Sequence, residues 1–360
     1  MGGCRIHDRF VEQNNEATAA AATVADDDAR AALLADLLAQ VAGCFPRRET
    51  RQTCAQMVNG LLMEDQNCWT IAEAIGYRRP YRLHHFLSRA VRDEELLVDA
   101  AAGWAADRLG DGDGVLIIDE TGDGKSSADA AGAARQYSGS VGGVALCQVM
   151  VTLTYATGCG HTLLGRALYL PDARAADEEH RELTGIPDEV MFATRPELAG
   201  GLAEHALELL VRRHRYTRKL SFYRCWTSQP APLSRLIHVA TVRWRIEEDH
   251  QIAKQTAGLY KGQVTCWSSW HRWTAICLLA YIFLTVAAAL ERRRDGAASA
   301  AAQMIDVTVP ELLRLLRGTV IPPPCRDRGH VLDWSHWRRE HQHRARQAHQ
   351  RWNAYADAVA

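Results

Sequence analysis

At 360 residues the chain is long enough for a large core, and its length alone divides it into two domains or three modules. Its 42 Lys plus Arg are balanced by 43 Asp plus Glu, which excludes a global basic field of the kind that draws in nucleic acid, so any such footprint must be local. With 47% hydrophobic and 24% charged residues the composition is that of a soluble globular protein; ten cysteines without a C-x-x-C pair exclude a zinc knuckle or a disulfide framework and point to a reducing, cytoplasmic compartment.

Residues 1–28 read as a loose leader, polar and alanine-rich up to the acidic run Asp26 to Asp28, with no basic-then-apolar export signal. From Ala29 to Leu109 the periodicity is helical. Within it, Trp69 to Ala90 predicts two short helices around a break, the first ending at Gly76 and the second opened by Pro80. This is the pattern of a helix-turn-helix. Arg78, Arg79, Arg82, His84, His85 and Arg89, on its turn and second helix, are the types that meet phosphates and base edges in a groove. An ordinary helical hairpin with a solvated basic face gives the same pattern.

The turn-rich Gly110 to Gly114 then releases VLIIDETG, Val115 to Gly122, whose apolar run predicts a buried strand ending on Asp119 and Glu120. An acid at a strand end is one way to build a metal or catalytic site, although acids also close strands by starting a turn. Val144 to Tyr155 and His161 to Tyr169 predict two further strands, joined as a hairpin through Thr157 to Gly160. Pro171 to Glu189 reads as an acidic loop, and Pro196 sits in the first turn of a helix predicted to run to about Arg213. After the basic stretch Arg212 to Lys219 comes a short strand, Leu220 to Trp226, and from Pro232 one long helix.

On that helix Arg243, Glu247 and Lys254 fall within about 40° of one another, so all three share a face. An Arg–Glu pair four residues apart is also an ordinary surface feature. The only lysines are Lys125, Lys219, Lys254 and Lys261, which makes a lysine in this register informative. Thr274 to Leu290 is uncharged and long enough to reach the lower limit for crossing a bilayer; a single borderline segment in a polar chain reads as a buried core helix. Ala297 to Ala302 reads as a low-complexity linker, and Pro310 to Leu316 as a short helix before the stop Pro322 to Pro324. The tail Arg326 to Arg351 carries seven arginines and five histidines against three acids, with Trp334 and Trp337 interleaved. As a helix it suits a phosphate backbone, or is simply solvated.

The chain from Trp69 onward, through IDETG, RQYSG (Arg135 to Gly139), LYLP (Leu168 to Pro171), FATRPELA (Phe192 to Ala199), WSSWHRW and HVLDWSHWRR, resembles the DDE transposases of bacterial insertion sequences. Arg243, Glu247 and Lys254 match the Y-x2-R-x3-E-x6-K signature of one branch, with Ala240 in its tyrosine position. The resemblance implies a mixed α/β fold: a ribonuclease-H-like mixed sheet flanked by helices over residues 110–291, preceded by a helical DNA-binding domain over 29–109 that uses Arg78, Arg79, Arg82, His85 and Arg89, and followed by an Ala-rich linker and basic tail over 292–360. It implies metal-dependent cleavage and transfer of DNA strands at transposon terminal inverted repeats. Two Mg2+ (or Mn2+) ions would be held by Asp119 and Glu247 with a further acid, and Arg243 and Lys254 would neutralise phosphates beside them. DNA is the implied partner, with homo-oligomerisation left open and no membrane. Glu120 and Glu248 point away and are given no role.

The middle acid departs from that pattern. A second Asp should close a strand after FATRPELA, yet no Asp stands between Asp188 and Asp249, and Asp172, Asp177 and Asp188 all precede that helix. With two acids of three, the centre is expected to lose most of its metal affinity and rate. The lost strand would pair parallel to Val115 to Asp119, and Leu220 to Trp226 is expected to lie beside that strand in its place. The second reading is a non-catalytic DNA-binding remnant that holds transposon ends or inhibits an intact transposase. A D-x-D-x-T phosphatase is excluded because Thr121 stands two residues after Asp119, and a dinucleotide fold because Gly110, Gly112 and Gly114 precede the strand.

Overall fold

The computed structural model describes residues 26–63, 67–90, 93–110, 112–202, 208–213, 220–225, 231–301 and 305–359. Helix α1 (residues 26–40) starts on Asp26, Asp27 and Asp28, so the acids expected to end the leader instead sit on the positive end of a helix. A 3-10 turn, Val41–Cys44, leads to α2 (Arg48–Met63), α3 (Cys68–Ala74), α4 (Tyr81–Arg89) and α5 (Glu94–Leu109). The Asn67 side chain accepts the backbone N–H groups of Trp69 and Thr70, and the Thr70 hydroxyl accepts the Asn67 N–H, which fixes the start of α3. Gly76, at φ 82°, turns the chain out of it. Helix α4 buries Leu83, Phe86 and Leu87 and leaves its basic side chains outward.

Strands β1 (Val115–Gly124), β2 (Ala134–Ser138), β3 (Gly143–Ala156) and β4 (His161–Tyr169) form one antiparallel sheet with β3 at its centre. β1 follows one edge of β3, from Val115 opposite Ala156 to Gly124 opposite Cys147; β4 and β2 share the other edge. Asp119 therefore lies mid-strand, not at its end, because Glu120 to Gly124 still find ladder partners on β3. β2 is mostly polar and gives no hydrophobic signal; pairing with β3 imposes it. Its Ser138 explains the glycine of IDETG: a Cβ on Gly122 would lie 2.1 Å from Ser138 Oγ.

The stretch read as an acidic loop contains α6 (Asp172–Ala175) and α7 (Glu178–Thr184), the latter capped by the Asp177 side chain accepting the His180 N–H. Helix α8 spans Arg195–Leu202 and Glu208–Arg213 is strand β5, so the helix expected to reach about Arg213 does not extend that far. β6 (Leu220–Cys225) pairs antiparallel with β5 in a separate two-stranded sheet. The expected substitution beside β1 is thus overturned: among the described residues β1 has only β3 as a ladder partner. Pairing two strands this close in sequence costs less chain entropy than carrying β6 to a distant edge. Trp226 lies outside the described residues.

The long helix expected from Pro232 is divided at Arg243 into α9 (Leu233–Val242) and α10 (Trp244–Thr256). α11 (Trp267–Ala301) runs through most of the expected linker, whose Ala302 lies outside the described residues; α12 (Val309–Thr319) and α13 (Arg328–Val359) follow. One face of the sheet carries α5, α10 and α11, and the other carries α8. α11 is the core helix the sequence indicates. It is apolar enough to cross a membrane, but its most apolar stretch is 94% buried within the protein, and every residue from Ala275 to Leu284 is at most 1% exposed. A buried arginine joins these layers: Arg166 of β4 donates to Glu95 of α5 at 2.9 and 3.0 Å and to Thr274 of α11 at 3.2 Å. Burial pushes the Glu95 carboxyl up, but the His271 hydrogen bond and the Arg166 charge outweigh it and hold the group at about 2.

Candidate active site

The two-residue period of β1 sends Val115 and Ile117 into a small cluster with Ile246, Val239 and Val242 beneath α9 and α10. The next positions on that face are Asp119, Thr121 and Asp123. Arg243, at the junction of the two helices, lies over the first of them. Its Nη1 donates to Asp119 Oδ2 at 2.9 Å and its Nη2 to Glu247 Oε1 at 2.6 Å, so one guanidinium spans both acids. The backbone N–H of Glu120 donates to Asp119 Oδ1 at 2.8 Å. Burial pushes the Asp119 carboxyl above its ordinary value, with the Glu120 N–H and Arg243 pulling the other way.

Lys254 joins the same strand face two residues further on. Its Nζ donates to Thr121 Oγ1 at 3.2 Å and stands 4.3 Å from the centre of the Tyr260 ring. Tyr260 donates its hydroxyl to the same Thr121 oxygen at 2.6 Å. Burial lowers the Lys254 ammonium and Asp123 partly offsets it; Asp123 itself is 2.5 Å from Lys125. The fold therefore brings Asp119, Arg243 and Glu247 into one bonded group and sets Lys254 beside Thr121. Glu120, on the opposite face of β1, is paired with Arg195 of the FATRPELA segment at 2.6 Å, which explains that arginine as a clamp between α8 and the sheet.

Behind the site, α10 is held by residues that the sequence reading passed over. Asp249 is fully buried and accepts from Thr154 Oγ1 at 2.7 Å and Tyr281 Oη at 2.6 Å, with His161 Nδ1 at 2.7 Å. His250 Nε2 stands 2.7 Å from Thr152 Oγ1, which donates to the Asp119 carbonyl at 3.2 Å. A signal was present: Ile246, Asp249, His250 and Ala253 follow helical core spacing, and an acid on a core stripe requires partners.

In the helical region, Arg78, Arg82, His85 and Arg89 are exposed. Arg79 is not available in the same way, because it forms an ion pair with Asp333 of α13 at 2.7 Å. Arg82 donates to Thr53 Oγ1 at 3.0 Å and packs over Tyr77. The tail is not a detached segment: Trp334 and Trp337 are 0% and 3% exposed, and Trp334 Nε1 donates to the Tyr77 carbonyl at 2.8 Å in the turn between α3 and α4. Each tryptophan buried this way is worth about 3–5 kcal/mol against truncation to alanine.

Divalent ions are hard cations held by converging oxygen ligands, and a two-metal centre requires several carboxylates. Among the described residues Arg243 joins two acids, Asp119 and Glu247, and its guanidinium lies between them. Among the described residues no cluster of three His, Cys, Asp or Glu side chains could hold a metal ion. The donor set does not fit a two-metal centre.

A search among curated proteins finds no match. The family model for DDE superfamily endonucleases matches residues 40–245, which takes in the helical region, the sheet with Asp119, and Arg243, and ends just before Glu247. The four-stranded sheet flanked by helices, antiparallel throughout where a mixed sheet was expected, is consistent with the ribonuclease-H-like domain of such enzymes, which generally use divalent metals. With more than half its length matched, and an acid on the first strand carried under a helix by an arginine and a glutamate, the chain belongs to the DDE superfamily of endonucleases.

Proposed function

We propose that the chain is a transposase of the insertion-sequence type, internally shortened, which recognises transposon ends but is impaired in cutting and joining DNA. Residues 29–109 serve end recognition, 110–291 carry the altered catalytic domain, and the protein acts on DNA in the cytoplasm. The observation that carries the reading is the acid set: Arg243 joins Asp119 and Glu247 at 2.9 and 2.6 Å, and no Asp stands between Asp188 and Asp249 to complete it. With no further acid joined to them among the described residues, in-line attack on a phosphodiester lacks charge stabilisation at both the entering and leaving oxygens.

The test is nicking of supercoiled DNA bearing the terminal repeats, in Mg2+ or Mn2+, with wild type beside Asp119→Ala and Glu247→Ala. All three should nick at the same background rate. Robust wild-type nicking abolished by either substitution would overturn the impairment. The second reading, a non-catalytic binder of transposon ends, is favoured by the capped α3, the Gly76 turn and the outward basic face of α4. A gel shift on terminal-repeat DNA that is as strong in EDTA as in magnesium supports it.

A further inference from the structure

We propose that α13 is a second DNA-contacting element, anchored by its first half to the turn of the helix-turn-helix and presenting its second half as an arginine-rich rod to the phosphate backbone of duplex DNA. This rests on the DNA-binding reading above and assigns it a surface outside the matched family region.

The first half of α13 is fixed in place. Besides the two buried tryptophans, His330 Nε2 lies 2.9 Å from the Glu73 carbonyl and Arg338 pairs with Glu73, while just before the helix Cys325 N donates to the Ala74 carbonyl at 2.8 Å. Trp337 meets Trp69 edge-on, with ring centroids 5.1 Å apart. All these partners lie on α3 or at its ends, so the direction of α13 is set by the same motif that orients α4.

Beyond His341 the helix leaves the body of the protein up to Arg351. Every residue from Gln342 to Arg351 except Ala345 is exposed, a rod about 15 Å long. This stretch carries three arginines, Arg344, Arg346 and Arg351, and two histidines, with no acid. A helix that is merely solvated commonly mixes both signs and gains from pairs four residues apart. This one concentrates a single sign in a chain whose formal net charge is −1. Arginine is also the side chain whose fork matches phosphate, and arginines account for 38 of the 42 basic residues given the four lysines. The chemistry that fits a rigid, cationic helix held beside a basic recognition helix is a polyanion with regularly spaced phosphates.

The experiment is salt-dependent fluorescence anisotropy on a random-sequence duplex of about 30 base pairs in EDTA, so that cleavage plays no part. Full-length wild type is compared with R344Q/R346Q/R351Q and with R82Q/R89Q. All the substituted side chains are exposed, and unchanged thermal unfolding confirms that the variants fold. The α13 variant should reduce the slope of log K against log salt by about 2–3 and weaken binding by roughly tenfold, equally on random and terminal-repeat DNA. Wild-type binding with an unchanged slope in this variant would overturn the role of α13 while leaving DNA binding intact. Weakening of heparin or single-stranded RNA binding without any change on the duplex would also overturn it. Loss in R82Q/R89Q alone would place recognition on α4 only and equally count against it. Absence of any duplex binding by wild type would overturn the DNA-binding reading, and this inference with it.

Discussion

Replacing Asp249 with alanine should lower folding stability by about 3–5 kcal/mol. The Asp249 carboxyl is 0% exposed and answers Thr154 and Tyr281 at 2.7 and 2.6 Å, with His161 at 2.7 Å. Burial beside Asp249 pushes the Tyr281 hydroxyl far up, so it stays protonated and remains a donor. Truncation strands these donors in the interior, where each unmet hydrogen bond costs about 1–3 kcal/mol. The total is less than their sum because the groups act as one network and partly rearrange. Tyr281→Phe removes a single donor and should cost about 1 kcal/mol. Urea denaturation of wild type and the two variants checks both values, and a loss below about 1 kcal/mol for Asp249→Ala would show that the network does not hold α10. Since α10 carries Glu247 and abuts Arg243, the same substitution should loosen the Arg243 bridge to Asp119.

What could be read from the sequence is what depends on local periodicity. The apolar run of β1, the uniform hydrophobicity of α11 and the four-residue step from Arg243 to Glu247 all state their own conformation, and each is found where the spacing put it. Features imposed by distant partners were not legible. β2 is a strand because β3 lies beside it, and β1 extends past Asp119 for the same reason. Glu208–Arg213 has a composition that suits helix or strand alike, and the hairpin with β6 decides for the strand. The tail was recognisable as a basic helix with interleaved tryptophans, but not as one packed on residues some 260 positions earlier, such as the pair Arg338 and Glu73, whose separation is 265. For the site, the sequence supplied the acids and the cations as types. It did not supply the arrangement, in which Arg243 bonds to the acids it was expected to accompany.

Stability should also fall between pH 6.5 and about 4, and His250 should account for much of the loss. Its ring is 6% exposed on α10; burial, reinforced by the Lys254 charge, lowers its pKa from 6.5 to about 4. In the unfolded chain the imidazole takes a proton below 6.5, whereas in the folded protein it resists until about 4. The unfolded state thus binds more protons across this window, so the contribution is complete above the unfolded value and is lost as pH falls towards the folded one. The depression corresponds to about 3 kcal/mol. Burial lowers His84, His180 and His271 as well, and these add with the same sign. Glu95, held at about 2, begins to lose its contribution only below its ordinary value of 4.5, so its loss follows that of the histidines. Asp119 and Asp123 are raised by burial and oppose the trend, since the folded state takes up their protons more readily. His250→Gln keeps a donor for Thr152 and removes the titration. Denaturation curves from pH 7.5 to 4.5 should therefore be flatter for this variant than for wild type by about 2–3 kcal/mol. Parallel curves for the two proteins would show that His250 titrates alike in the folded and unfolded states, and that α10 leaves it open to water.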